Sequence, residues 1–77
     1  MISEILKALN AELSDFAKIS YDTTKKKITL FPDKKVKTIK TKAIKLLGAR
    51  PEDENKVVFH WNDYKVEINT SHLNKKS

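Results

Sequence analysis

The sequence has no cysteine, one glycine, two prolines and one tryptophan among its 77 residues. A chain without cysteine can form neither a disulfide nor a cysteine zinc site, so a chain of this length depends on one small hydrophobic core. No apolar run approaches the roughly 20 residues that a membrane-spanning helix needs. Glu4, Lys7 and Glu12 interrupt the segment where a signal peptide would be apolar. We therefore expect a single small cytoplasmic domain without a membrane partner.

Acidic residues are also scarce relative to basic ones. The chain has 16 basic and 10 acidic residues, a formal net charge of +6 and a pI of about 9.6. This balance favours an anionic partner, either nucleic acid or an acidic protein surface. However, all but one of the basic residues are lysine, and a lysine-biased composition would give the same total without any role in binding. The placement of the cations is therefore better evidence for function than their number.

Apolar residues recur at a spacing of 38 residues, which is the signature of an internal repeat. The shift superposes Ile5, Leu6, Leu9, Ile19, Tyr21, Ile28 and Leu30 on Ala43, Ile44, Leu47, Val57, Phe59, Val66 and Ile68. Each unit has the pattern of one amphipathic helix followed by one hairpin, so the predicted order of elements is α-β-β-α-β-β. Two unrelated units of this kind would also align, because they share the same periodicities. True duplication and coincidence therefore both stay open.

The first unit changes its periodicity near residue 18. Before this point the apolar residues follow the i, i+3, i+4, i+7 spacing of an amphipathic helix, at Ile2, Ile5, Leu6, Leu9, Leu13 and Phe16. After it, apolar and polar residues alternate as in a half-buried strand. A turn at Thr24 and Lys25 predicts a hairpin that pairs Ile19 with Leu30, Tyr21 with Ile28 and Asp22 with Lys27.

The second helix has clearer boundaries in the sequence. Pro32 cannot donate to a strand ladder and Asp33 is a good N-cap, so we predict a helix from Asp33 to Leu47. Gly48 stands where a C-cap glycine belongs, and Pro51 prevents the helix from continuing.

A second hairpin is predicted over residues 56–69, after an acidic loop at residues 52–54. Asn62 and Asp63 both tolerate the positive φ angles of a two-residue turn. This turn repeats the register of the first hairpin and pairs Trp61 with Tyr64, Phe59 with Val66 and Val57 with Ile68.

These elements predict an α+β fold with a pseudo-repeated αββ-αββ order. We expect the two hairpins to form a four-stranded antiparallel sheet, with both helices packed on one face and approximate two-fold symmetry between the units. Residues 1–69 form the predicted domain, and the polar residues 70–77 form a predicted flexible basic tail. The predicted core comprises Ile5, Leu6, Leu9, Leu13, Ile19, Tyr21, Ile28, Leu30, Ile39, Ile44, Leu47, Val57, Phe59, Val66 and Ile68.

Residues suited to catalysis are scarce. The chain has two histidines, no glycine-rich phosphate loop and no nucleophile beside an obvious base. His60 falls on the polar face of the second hairpin, and His72 has no second ligand at the spacing of a metal site. We therefore expect no enzymatic activity, no metal, no cofactor and no small-molecule substrate.

The second predicted helix is the strongest candidate for a binding surface. From Lys34 to Arg50 the chain has seven cations and no acidic residue. At about 100° per residue, one stripe is apolar and comprises Val36, Ile39, Ala43, Ile44, Leu46 and Leu47. The opposite arc comprises Lys34, Lys35, Lys37, Thr38, Thr41, Lys42 and Lys45. Cations without acidic partners repel one another, and phosphate groups would relieve this repulsion while threonine hydroxyls add backbone contacts.

Other residues could extend this surface. Arg50 follows the helix, and Lys25 and Lys26 lie on the turn of the first hairpin, where they could equally keep the turn soluble and guard a sheet edge. Trp61 and Tyr64 flank the second turn. They could stack on unpaired bases or anchor a protein partner, although such a pair more often caps the end of a small core.

The leading hypothesis is a small regulatory or architectural protein that binds DNA or RNA by contacting the phosphate backbone through the lysine-rich helix. The alternative is an interaction module or inhibitor, such as a phage-encoded effector, whose basic face docks on an acidic protein surface. This alternative requires apolar anchors beside the charges. A solvated basic face without a partner is the remaining interpretation. The sequence indicates neither the preferred nucleic acid nor the oligomeric state.

Overall fold

The computed structural model describes residues 2–34, 36 and 38–74, and in this part of the chain a five-stranded sheet packs against two α-helices. The helices are α1 (Ile2–Ala8) and α2 (Ile39–Leu47). The strands are β1 (Phe16–Asp22), β2 (Lys27–Pro32), β3 (Arg50–Asp53), β4 (Lys56–Trp61) and β5 (Tyr64–Asn69). Short 3-10 helices occupy Leu13–Asp15 and Ser71–Asn74. The overall α+β class predicted from the sequence is confirmed.

The sheet has the strand order β1-β2-β5-β4-β3 and is mixed. The pairs β1–β2, β4–β5 and β3–β4 are antiparallel, whereas β2 and β5, which join the two hairpins, are parallel. The predicted four-stranded antiparallel sheet is therefore wrong in two respects. The acidic segment predicted as a loop contributes to a fifth strand, β3, and the central pair of strands is parallel.

The parallel pair brings the most deeply buried strands together. The chain leaves β2, returns through α2 and adds β3 and β4 before it enters β5, so β5 starts at the end of the sheet where β2 starts. Ile28 and Leu30 of β2 and Val66 and Ile68 of β5 are fully buried. Strands that are buried in this way lie at the centre of a sheet, so the hairpins join through these two strands.

The 38-residue repeat does not correspond to a symmetry axis. The parallel register pairs Ile28 with Val66 and Leu30 with Ile68, so positions related by the shift are neighbours in the sheet and lie on the same face. A two-fold axis would either make equivalent strands antiparallel or place equivalent residues on opposite faces. The predicted two-fold symmetry is therefore wrong. True duplication and coincidence of the two units both stay open.

Both predicted hairpin registers are confirmed. The observed pairs include Ile19 with Leu30, Tyr21 with Ile28, Trp61 with Tyr64, Phe59 with Val66 and Val57 with Ile68. Asn62 and Asp63 have φ angles of 46° and 69°, as the predicted two-residue turn requires. The first turn spans residues 23–26, and the Lys25 N–H donates to Asp22 Oδ1 at 3.0 Å.

Helix α1 is shorter than the helical spacing predicts. It ends before Asn10, which adopts a φ of 52°, and the Ala11 N–H then donates back to Leu6 O at 2.9 Å. A left-handed residue at this position ends a helix. Leu13 is 64% exposed and Phe16 begins β1, so neither belongs to the helix although their spacing fits it. The predicted core position of Leu13 is therefore wrong.

Helix α2 begins later than predicted. Its N-cap is Thr38 rather than Asp33. The Asp33 N–H donates to Asp15 O at 2.8 Å, and Asp33 O accepts from the Val36 N–H at 2.9 Å, so this segment forms a turn tied to another part of the chain. The predicted C-cap at Gly48 is confirmed by its φ of 67°.

The core lies between the helices and one face of the sheet. Its buried apolar residues are Ile5, Leu6, Leu9, Phe16, Ile28, Leu30, Ile39, Ala43, Ala49, Val57, Phe59, Val66 and Ile68, with Ile19 and Leu47 partly buried against them. Tyr21 and Ile44 are 45% and 42% exposed, so their predicted core positions are wrong. Tyr21 lies on the edge strand β1, and α2 meets the core through Ile39 and Ala43, which leaves both residues at the surface.

The segment after β5 contacts the sheet. Thr70 donates to Asn55 O through its N–H at 2.8 Å and through its hydroxyl at 3.2 Å. His72 Nε2 lies within 2.7 Å of Pro32 O. Residues 75–77 lie outside the described residues, and the flexibility predicted for residues 70–77 stays a prediction.

Candidate nucleic-acid interface

Helix α2 presents one face to solvent. Ile39 and Ala43 are its buried residues, and at about 100° per residue Thr41, Ile44 and Lys45 fall on the other side. All three are exposed. We call Thr41, Ile44 and Lys45 the outward face of α2. It is accessible to a partner without any rearrangement of the fold.

Two further lysines lie on the flanks of α2 and contact main-chain carbonyls. Lys40 Nζ donates to Glu54 O at 2.7 Å, and Lys42 Nζ donates to Asn10 O at 3.3 Å. A carbonyl oxygen has no formal charge, so both contacts leave the positive charge of the lysine uncompensated. Lys42 belongs to the predicted basic arc, and in the structure this half-buried residue also connects α2 to the segment after α1.

The predicted basic arc is divided between α2 and the segment before it. Lys34 is exposed in a turn, and Thr38 is exposed at the N-cap, where its side chain makes no hydrogen bond to the helix. The prediction that Lys34 lies on the helix is therefore wrong. Lys35 and Lys37 lie outside the described residues. The structure thus places Lys45 on the helix and Lys34 in front of it.

The cations of α2 have no acidic partner in the described part of the chain. The ion pairs there join Lys27 Nζ to Glu67 Oε1 at 3.8 Å and Lys65 Nζ to Glu52 Oε2 at 3.7 Å, and all four residues belong to strands. The lysines of α2 therefore carry positive charge that no close carboxylate of the described residues offsets. Cations of this kind can replace the counterions condensed on nucleic-acid phosphates, and release of those counterions drives much of nucleic-acid binding.

The parallel pair places the two hairpin turns at the same end of the sheet. Lys26 O accepts a hydrogen bond of 2.9 Å from the Lys65 N–H, so the turn at residues 23–26 lies beside the start of β5. Lys25 and Lys26 are exposed in this turn. The structure therefore brings the turn that carries both lysines to the end of the sheet where Tyr64 begins β5. The two turns are far apart in the sequence, which therefore does not predict that they are neighbours. Their proximity depends on the direction of β5 relative to β2.

Trp61 and Tyr64 are half-buried at this end of the sheet and pack against the core. The ring centres of Tyr64 and Tyr21 lie 5.5 Å apart. A hydrogen bond with the Tyr64 side chain, then burial, then the charge of Tyr64 raise the pKa of Tyr21 above its ordinary value of 10.0. Trp61 Nε1 is buried without a hydrogen-bond partner among the described residues. These contacts favour a role in capping the core over stacking on bases.

Arg50 lines an open groove of about 670 Å³ next to the C-terminal end of α2. The groove is formed by Leu47, Gly48, Arg50, Pro51, Glu52, Val58, Phe59, His60 and Lys65. Arg50 and Lys65 are exposed, and Lys65 pairs with Glu52, so the groove combines charged with apolar side chains. The sequence pattern does not identify this groove, because nothing in the exposed residues of β3 predicts a strand.

Two exposed apolar side chains adjoin the cations of α2. Ile44 belongs to the outward face, and Leu46, in the last turn, is 51% exposed. Lys45 lies between them in the sequence. The helical pattern places both on the buried stripe, but α2 is short and its contact with the core is narrow. Apolar residues beside cations are the anchors that a protein partner uses.

Comparison of the chain with protein-family models, curated proteins and solved structures finds no match. A viral origin therefore gains no support. Within the described ranges, no helix combines the length and the apolar character needed to cross a membrane.

Proposed function

We propose that this chain is a small cytoplasmic nucleic-acid-binding protein, without enzymatic activity, that contacts the phosphate backbone of DNA or RNA through α2 and the basic segment before it. The outward face of α2 supplies Lys45 and the Thr41 hydroxyl, and Lys34 precedes the helix. Lysine attracts phosphate as a point charge and threonine donates a hydrogen bond, so these contacts require no particular base sequence. A regulatory or architectural role suits a binder of this kind.

The absence of acidic compensation on α2 is the observation that supports the proposal most. Lys40, Lys42 and Lys45 lie within its nine residues, and none of them forms an ion pair in the described part of the chain. Like charges that are close on a helix destabilise it by about 0.2–0.5 kcal/mol per pair. Bound phosphate groups would offset this repulsion and release the condensed ions of the nucleic acid.

The affinity should depend steeply on salt, and Lys45 should contribute to this dependence. Binding to a labelled duplex DNA, a single-stranded DNA and a duplex RNA is measured by fluorescence anisotropy at about 50 to 200 mM salt. Lys45→Gln should flatten the slope of log affinity against log salt by about one unit. Lys7→Gln is the matched control, because Lys7 is also an exposed lysine in the last turn of a helix.

The control should keep the slope of the unchanged protein, and both variants should lose the same small interaction with the end of a helix dipole. Unfolding by urea checks that their stabilities match. If the unchanged protein binds none of the three nucleic acids at about 50 mM salt, the proposal is wrong. Equal effects of Lys45→Gln and Lys7→Gln would show that net charge, and not α2, attracts the nucleic acid.

A second candidate function is docking on an acidic protein surface, and the exposure of Ile44 and Leu46 beside Lys45 favours it. Leu46→Ser separates the two functions. Phosphate contacts need no apolar anchor, so this change should leave nucleic-acid affinity intact. A complex with an acidic protein should be weakened by Leu46→Ser as well as by Lys45→Gln, because anchors and charges act together in such interfaces.

A further inference from the structure

Strand β1 is an edge strand with one open side. It pairs with β2 on one side and, within the described residues, with no strand on the other. Such an edge presents unpaired main-chain N–H and C=O groups to any additional strand. A bulge between Phe16 and Lys18 disturbs the start of β1, but residues 19–22 keep a regular register. The second half of β1 is therefore suited to pairing.

The direction of the main-chain groups in β2 follows from its contact with β5. Lys26 O accepts a hydrogen bond from the Lys65 N–H. Main-chain groups of successive residues alternate between the two sides of a strand. The even-numbered residues of β2 therefore face β5, and the odd-numbered residues Lys27 and Thr29 face β1.

This alternation identifies which residues of β1 face the open side. Lys27 and Thr29 pair with Asp22 and Ser20, so the N–H and C=O groups of Asp22 and Ser20 point into the sheet. The groups of the intervening Tyr21, and of Ile19, therefore point outward. A second strand has to meet these outward groups.

The side chains of β1 are self-complementary about Ser20. In an antiparallel pair of two copies centred on Ser20, Ile19 lies opposite Tyr21 of the second copy, and Lys18 lies opposite Asp22 of the second copy. The first of these pairs is hydrogen-bonded, as the outward groups require. The second is a non-hydrogen-bonded pair, in which the side chains approach most closely and opposite charges attract.

We propose that two copies of this chain form a dimer by pairing their β1 strands in this register, which joins two five-stranded sheets into one. The interface is two-fold symmetric about Ser20, and each end has an ion pair between Lys18 and Asp22. The exposed ring of Tyr21 becomes covered by Ile19 of the second copy. Asp22 keeps its bond with the Lys25 N–H, because a carboxylate accepts several hydrogen bonds.

Neighbouring registers lack this charge match. Pairing centred on Ile19 satisfies the same main-chain groups but places Lys18 opposite Ser20. Pairing centred on Tyr21 places Asp22 opposite Ser20. The register about Ser20 satisfies the main-chain groups and the charges together. Stable interfaces bury about 1,200–2,000 Å² in total. A contact through one pair of edge strands is small, so the dimer should form in a concentration-dependent way.

A single introduced cysteine tests the register, because the chain has none of its own. Ser20 meets its own copy in a non-hydrogen-bonded pair, with Cα atoms about 4.5 Å apart, which suits a disulfide. Ser20→Cys should therefore give a covalent dimer on mild oxidation. Thr23→Cys is the matched control, because Thr23 is also exposed and its copies would lie about 20 Å apart. This variant should form no disulfide-linked dimer under the same conditions.

A charge exchange tests the ion pairs by sedimentation equilibrium. Lys18→Asp and Asp22→Lys should each weaken dimerisation by about tenfold, because like charges then face each other at both ends. The double variant should restore it. Within one copy the Lys18 and Asp22 side chains lie about 13 Å apart along the strand, too far for an ion pair. Restored dimerisation of the double variant would therefore show that the two residues meet between copies. Lys7→Asp controls for the change in net charge.

Three results would overturn the dimer. One is a chain that stays monomeric up to about millimolar concentration. Another is equal cross-linking of Ser20→Cys and Thr23→Cys. The third is a double charge variant that associates as weakly as the single ones. Circular dichroism checks the fold of each variant, and Ser20→Cys, the mildest change, decides the matter if a charge variant does not fold.

Discussion

Phe59 and Tyr21 hold corresponding positions in the two hairpins but differ in burial. Phe59 is 4% exposed because β4 has neighbours on both sides and α2 packed against it, whereas Tyr21 lies on the sheet edge. Phe59→Ala should therefore lower the free energy of unfolding by about 3–5 kcal/mol. Tyr21→Ala should lower it by about 1 kcal/mol. Urea denaturation measures both, and losses of equal size would contradict this division into core and surface.

The contact between Tyr21 and Tyr64 makes stability depend on pH in the alkaline range. The hydrogen bond with Tyr64, and to a lesser degree burial, raises the pKa of Tyr21 in the folded chain. The folded chain therefore holds this proton more tightly than the unfolded chain. The resulting stabilisation is fully present below pH 10.0, the ordinary pKa, and is lost as the pH rises through the raised pKa.

Tyr64→Phe tests this dependence, because it removes the hydroxyl group and leaves the ring. The pKa of Tyr21 should then fall towards its ordinary value, and the loss of stability at alkaline pH should become smaller. Ultraviolet absorbance of the phenolate follows the titration. Tyr21→Phe serves as the control that identifies its signal. A titration of Tyr21 that is the same with and without the Tyr64 hydroxyl would contradict the stated cause.

At the scale of elements, the N-terminal end of α2 is poorly stabilised. Thr38 makes no side-chain hydrogen bond to the helix, and the first turn contains no acidic residue. Thr38→Asp would place a carboxylate at the positive end of the helix dipole and should raise the free energy of unfolding by about 0.3–1 kcal/mol. The same charge should weaken binding to phosphate. Urea denaturation and fluorescence anisotropy measure the two effects.

Thr41→Asp is the matched control for this change. Thr41 is exposed on the outward face of the same helix, where a carboxylate has no capping role and aspartate has a low helix propensity. It should weaken nucleic-acid binding without raising stability. If Thr38→Asp stabilises the chain and leaves its binding unchanged, phosphate does not contact this end of α2.

Local patterns determine some of these elements and tertiary contacts determine others. Alternation and the turn at Asn62 and Asp63 are sufficient to predict a hairpin register. Gly48 marks the end of α2, because a φ of 67° is costly for most other residues. The start of α2 cannot be predicted in this way, since it depends on a hydrogen bond between Asp33 and the distant Asp15.

Strand β3 and the parallel pair have no local signal at all. Every residue of β3 is exposed and one is a proline, so the segment shows no alternation. The pattern of β2 and β5 shows that both are buried but not how they run relative to each other. The candidate interface, too, can be predicted from the sequence only in part. Its cations are visible in the sequence, whereas the exposure of Ile44 and Leu46 depends on how α2 lies on the sheet.

At the scale of the molecule, β5 joins the two hairpins. It pairs with β2 on one side and β4 on the other, and both Val66 and Ile68 are fully buried. A chain that ends at residue 63 lacks this strand and should be unfolded, because two separate hairpins cannot build a stable core. Circular dichroism and amide NMR spectra measure the loss.

A chain that ends at residue 70 is the control for this truncation. It loses the contact of His72 with Pro32 O but keeps the five strands of the sheet, so it should stay folded. A cooperatively folded chain of residues 1–63 would contradict the central role of β5. An unfolded chain of residues 1–70 would show that the segment after β5 is essential as well.

The parallel pairing of β2 with β5 also governs when the chain can fold during its synthesis. Of the five strands, the one that lies beside β2 at the centre of the sheet is the last to be made. Until residues 64–69 have left the ribosome, Ile28 and Leu30 remain uncovered on a strand with a free edge. Closing so long a loop costs entropy that only the completed contacts offset. We therefore expect the nascent chain to bind chaperones until β5 is available and then to fold in one step.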